Sequence, residues 1–153
     1  IDHCFRAFDR IISHYEIEKI KTIGDAYMCA GGLPLPNTSN PIDVVNAAMD
    51  MLKFMETYKV ERQAENKPWF EIRIGVHTGP VVAGIVGTKK FAYDLWGDTV
   101  NTASRMESSG EAGKVNISGS TYEYVKDEFV CEFRGKREIK SKGMTDMHFV
   151  VSK

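Results

Sequence analysis

The stretch Glu18-Lys19-Ile20-Lys21-Thr22-Ile23-Gly24-Asp25-Ala26-Tyr27-Met28 constrains the fold more than any other part of the chain. It predicts two short strands meeting at Gly24-Asp25, because glycine supplies the positive φ that a tight hairpin turn demands and that other L-residues resist. The turn displays the Asp25 carboxylate at its tip, and Lys21 rides on the incoming strand four residues earlier. A cation and an anion carried by one rigid ribbon suit metal binding better than the same pair on a loop. An aspartate in a turn also has an ordinary explanation in turn chemistry, so its meaning depends on the rest of the chain.

With 153 residues, 42% of them hydrophobic, the chain is long enough for one domain with a substantial core. Twenty basic side chains against twenty-one acidic ones leave a formal charge of −1. That balance provides no whole-surface field to draw the chain onto nucleic acid or anionic lipid, so any phosphate binding must be local. Cys4, Cys29 and Cys131 are odd in number and contain no Cys-x-x-Cys pair, which argues against a disulfide framework and a structural zinc site. A reducing, cytoplasmic setting is expected. No apolar run approaches the ~20 residues of a membrane-spanning helix. The helical spacing begins at Ile1 with no capping residue ahead of it, so the chain reads as part of something longer.

Ile1, Cys4, Phe5, Phe8, Ile11, Ile12 and Tyr15 recur at three- and four-residue steps and predict an amphipathic helix, with Asp9 as a charge on its solvated side. After the hairpin, Asn40-Pro41 reads as an N-cap with proline at the first helical position. Val44, Ala47, Ala48, Met51, Leu52, Met55 and Tyr58 then form the apolar stripe of a second helix. Alternation over residues 70–76 predicts a half-buried strand, and His77-Thr78-Gly79-Pro80 turns it back into residues 81–86. That second run is apolar enough to be covered on both faces. Gly79, Gly84 and Gly87 lack the Gly-Lys-Ser/Thr ending of a phosphate loop and read as turns and close approaches.

Residues 91–95 predict a further strand, followed by a helix over 99–109 capped by Asp98 and stopped by Gly110. Val100, Ala103 and Met106 would face inward, while Asn101 and Arg105, one helical turn apart, project together. Residues 114–117 predict a short strand, and Ser120-Thr121-Tyr122-Glu123 has the form of a capping box. Residues 129–139 and 147–151 complete the sheet as a hairpin around Lys140-Ser141-Lys142-Gly143. The expected class is α+β, with helices packed on a mostly antiparallel sheet.

Asp25, Lys21, Asp94, Asn101, Arg105 and Lys140 each have an ordinary explanation, yet together they match what a nucleoside triphosphate requires. A carboxylate binds a divalent cation, lysine and arginine neutralise phosphate oxygens, and a Lys/Asp pair can read an adenine edge. The wording is also specific. Residues 18–28, Gly75-Val76-His77-Thr78-Gly79-Pro80-Val81 with Gly84, Tyr93-Asp94-Leu95-Trp96-Gly97-Asp98-Thr99-Val100-Asn101, and Ala103-Ser104-Arg105-Met106 strongly resemble the class III adenylate/guanylate cyclase catalytic domain. The likeness runs through essentially the whole chain.

The resemblance implies a ferredoxin-like-derived cyclase fold and an adenylate cyclase that converts ATP to 3′,5′-cyclic AMP and pyrophosphate. Asp25 matches one of two aspartates that hold two Mg²⁺ or Mn²⁺ ions in the family. Lys21 and Asp94 match the base-selecting pair: a lysine donates to adenine N1 and an aspartate accepts from the exocyclic amine. Guanine presents the reverse pattern, and the family's guanylate cyclases usually carry Glu in place of that lysine. Asn101 matches the ribose-orienting residue, Arg105 the residue that stabilises charge on the reacting phosphate, and Lys140 a lysine on the terminal phosphates, with Lys142 two positions on as the alternative. The family's other metal aspartate lies upstream of its first helix, so the chain is expected to be a cyclase domain truncated at its N-terminus with half of the metal cage absent. Family sites are shared between two chains, which implies a homodimer, and upstream regulatory domains are expected in the parent protein. Two rival readings fare worse. A non-catalytic cyclase-like dimerisation domain would have lost the phosphate-handling residues, and an RNA-binding sheet would need a basic rim with clustered aromatics.

Overall fold

A computed structural model describes residues 1–33, 35–86, 92–139 and 143–153. The opening apolar spacing forms α1 (Asp2–His14), which buries Cys4, Ala7, Phe8 and Ile12. The hairpin follows as β1 (Glu18–Ile23) and β2 (Ala26–Ala30), with Gly24 at φ +59° making the turn. An irregularity between Lys19 and Lys21 buries Ile20 and places Lys21 opposite Met28. The long helix α2 (Asn40–Ala64) packs on α1, where Ala47, Met51 and Met55 meet Phe8, Ile12 and Ile17.

After α2 come β3 (Ile74–Val76), β4 (Val82–Val86), β5 (Ala92–Trp96), α3 (Asp98–Ser108), β6 (Val115–Ser118), α4 (Gly119–Val125), β7 (Val130–Ile139) and β8 (Gly143–Ser152). Among the described residues the strands form three sheets: the β1-β2 hairpin, the β4-β5 hairpin, and a four-stranded sheet in the order β3-β6-β8-β7. Within the larger sheet β3 runs parallel to β6, and the other pairs are antiparallel. Every residue of β6 is buried, because the sheet is covered on both faces. Val115 and Ile117 join Val45, Ala48, Val125 and Phe129 beneath α2 and α4. Full burial of each valine, isoleucine or phenylalanine side chain there contributes about 1.5–3 kcal/mol. On the opposite face Met106 of α3 packs with Ile139 and Met147. The approach there is close, since a Cβ at Gly75 would stand 2.0 Å from the Glu107 backbone nitrogen.

The α+β class agrees with expectation, while several local assignments change. The strand expected over residues 70–76 shortens to Ile74–Val76, and it pairs with β6 rather than turning back onto residues 81–86. β4 pairs instead with β5. Val81 and Val82 are 39% and 65% exposed, so that run is not covered on both faces. The cap of α2 is Ser39, not Asn40, and the amide of Asn40 donates back to the Asn37 carbonyl at 2.7 Å. Asp98 is the first residue of α3 rather than its cap, which is Gly97 at φ +109°. On α3 the fully covered side is Thr102 and Met106, with Val100 and Ala103 only half-buried. Ser118, two residues before the expected capping box, caps α4 by accepting from the Thr121 amide. No helix among the described residues is long and apolar enough to cross a membrane.

Candidate active site

The structure brings Lys21 and Asp94 together across two separate hairpins. Lys21 Nζ lies 3.0 Å from one carboxylate oxygen of Asp94 and 3.1 Å from the other. The Leu95 amide donates to the same carboxylate at 2.8 Å. The Lys21 hydrogen bond, followed by the Leu95 amide, holds the Asp94 carboxyl below its ordinary range, so it remains an acceptor at neutral pH. Asp94 is 20% exposed and Lys21 40%, which leaves the pair open to an incoming ligand edge.

Asn101 and Arg105 both lie on the exposed side of α3, as their spacing requires. The start of that helix is tied to the preceding loop, because Thr99 donates its hydroxyl to the Pro80 carbonyl at 2.5 Å. Gly79 permits this approach, since a Cβ there would stand 2.7 Å from Thr99 Oγ1. The Gly79-Pro80 turn thus braces the start of α3. Lys140 and its alternative Lys142 lie outside the described residues.

Asp25 is exposed at the hairpin tip. Among the described residues no three carboxylate, histidine or cysteine side chains converge as a metal cage. One carboxylate does not complete a site for two divalent ions. The hairpin itself is held from the side by Asp9, which sequence spacing alone marks as a surface charge. Asp9 accepts from the Tyr27 hydroxyl at 2.6 Å and from Lys19 at 3.1 Å, so α1 fixes the strand that leaves the Asp25 turn. Burial and the Asp9 hydrogen bond push the Tyr27 phenol well up. In the sequence Asp9 is one of several charges beside the apolar steps of α1, and nothing in the spacing singles it out or names its partner.

A shallow hollow of about 340 Å³ opens elsewhere, between α1 and α2, beside Arg10, His14 and Asp50. None of Lys21, Asp25, Asp94, Asn101 or Arg105 lines it. His77, expected to serve turn packing, has its Nδ1 2.6 Å from the Ser118 hydroxyl.

The profile of the adenylate and guanylate cyclase catalytic domain matches residues 1–152. This chain belongs to that family. The cyclase domain is 44% identical to guanylyl cyclase C of Sus scrofa over 99% of its own length and 14% of that protein. It is 38% identical to an adenylate cyclase of Mycobacterium tuberculosis over 100% of its length and 34% of that protein. Its fold matches the crystal structure of the adenylyl cyclase CyaB from P. aeruginosa with a TM-score of 0.91 at 28% identity, covering 99% of this chain and 80% of that one. The cyclase domain therefore spans a minor part of both curated relatives. Relatives named for adenylate and for guanylyl cyclase activity both occur.

Proposed function

We propose that this cyclase domain takes ATP and releases 3′,5′-cyclic AMP and pyrophosphate for cyclic-nucleotide signalling. The observation that carries the choice of base is the Lys21–Asp94 pair at 3.0 Å. A lysine can only donate, and an ionised aspartate can only accept. Adenine offers an acceptor at N1 beside a donor amine, so the pair fits it in one orientation. In that same orientation, with Lys21 at N1 and Asp94 at the 6-substituent, guanine offers a donor at N1 beside an acceptor oxygen and leaves both side chains mismatched. A site built from buried or half-buried polar groups rejects the mismatched partner through those unpaired groups.

In this reading Asn101 orients the ribose and Arg105 places a permanent positive charge beside the α-phosphate. The ribose 3′-oxygen forms its bond to the α-phosphorus as the bond to the departing pyrophosphate breaks, and the hydroxyl proton is lost. Asp25 supplies one carboxylate ligand for Mg²⁺ or Mn²⁺, ions that neutralise triphosphate charge when bound. Support for Asp25 comes from its place at the tip of a braced hairpin. Two copies would share their sites, Asp25 of one chain serving the nucleotide gripped by α3 of the other.

Guanylyl cyclase C, at 44% identity, is the specific reason to test GTP. The full-length protein assayed with ATP and GTP in parallel should show a kcat/KM at least tenfold higher for ATP. Preference for GTP would overturn the assignment of the base.

A further inference from the structure

We infer that Arg134, acting with Asn116, is a positioning residue for Arg105, locking the last turn of α3 onto the four-stranded sheet. The inference rests on the reading above only in that Arg105 meets the reacting phosphate.

The last carbonyls of a helix have no partner within it. On α3 two of these orphans are satisfied by side chains from the sheet. Asn116, fully buried in the centre of β6, donates its amide to the Met106 carbonyl at 2.9 Å. Arg134 Nη1 donates to the Ser109 carbonyl at 3.0 Å and to the Asn116 side-chain oxygen at 3.0 Å. One guanidinium therefore bonds both to the helix end and to the amide that holds it. Its Cζ lies over the Phe149 ring, 4.0 Å from the ring centroid, which steadies the side chain from that side. A cation at this end also complements the helix dipole.

The chain goes to some trouble to aim Arg134 there. β7 carries a bulge between Phe133, opposite His148, and Gly135, opposite Met147, which leaves Arg134 as the extra residue. Gly135 takes φ +85°, a conformation other residues resist, and lets the strand absorb the insertion. Arg105 lies immediately before Met106, and its carbonyl accepts from the Ser109 amide at 2.8 Å. The turn that presents Arg105 is thus the one held from behind by Asn116 and Arg134. Misplacing a charge by about 1 Å can cost on the order of 100-fold in rate.

The test is a kinetic cycle in the full-length protein, using whichever of ATP or GTP it turns over faster. Arg134→Gln should lower kcat by about 10–100-fold while KM stays within about threefold, because the charge acts on the transition state more than on the bound nucleotide. In an Arg105→Ala background the same substitution should cost less than about twofold. Arg134→Lys, which keeps a donor and a charge, should recover part of kcat. The inference is overturned if Arg134→Gln leaves kcat at the wild-type level, or if its loss is the same in both backgrounds. It is equally overturned if neither Arg134 variant folds, since Arg134 would then be a residue of general stability. If Arg105→Ala alone leaves kcat intact, the role given to Arg105 fails first, and the positioning role falls with it.

Discussion

Lys21 and Asp94 show how little of a spatial pairing a single residue reveals. Seventy-three positions separate them, and each is unremarkable until the two hairpins place them 3.0 Å apart. Lys21→Met should lower kcat/KM for ATP by about 10–100-fold and shrink the ATP-over-GTP preference, as measured in parallel assays. Asp94, held below the ordinary carboxylate range by its partner, stays ionised as pH falls to that range. Its contribution is therefore present above the unfolded pKa and lost only as pH falls through the lower folded value, so base preference should be flat from pH 6 to 9 (about the assay range). Tyr27 works in the opposite sense. Its phenol is raised by burial and by Asp9, so the folded state keeps a proton that the unfolded chain gives up near pH ~10. Stability from this contact is fully present below that point and declines as pH rises further. Tyr27→Phe should cost about 1 kcal/mol at neutral pH and flatten the alkaline limb of the unfolding profile, measured by urea titration at stepped pH.

Elements were legible where period and turn chemistry agreed. The Gly24-Asp25 hairpin, the long second helix and the exposed Asn101–Arg105 side of α3 all follow from spacing. Strand partners were not legible, because alternation identifies a strand without saying which neighbour completes its ladder. The pairing of β3 with β6 depends on a crossover through two intervening strands and a helix, and β4 finds β5 instead of β3. Caps slipped by one or two residues because neighbouring positions could serve: Ser39 beside Asn40, Gly97 beside Asp98 and Ser118 close to Ser120. The bracing of α3 by Asn116 and Arg134 was invisible for another reason: both lie on strands whose pattern reads simply as sheet. Gly75 marks the same packing from the β3 side. Gly75→Ala would drive a methyl group into the Glu107 backbone and should cost about 3 kcal/mol or more, read as a fall in the urea midpoint with unchanged slope.

At the scale of the whole molecule, the proposed reaction asks for groups from two chains. Asp25→Ala and Arg105→Ala, each strongly impaired but with measurable residual turnover alone in the full-length protein, should restore about a quarter of wild-type activity when mixed equally, because random pairing yields half heterodimers with one intact site of two. Failure of any activity to return would count against sites shared between chains. The three described sheets carry a mechanical consequence as well. Backbone ladders hold each sheet internally, whereas Lys21 and Asp94 join the two small ones through a solvent-screened side-chain contact. A nucleobase that separates those two side chains breaks no ladder. The seam between the hairpins is then a line that no backbone ladder crosses among the described residues, and arrival of the fitting base would be felt there as relative movement of two otherwise stiff ribbons.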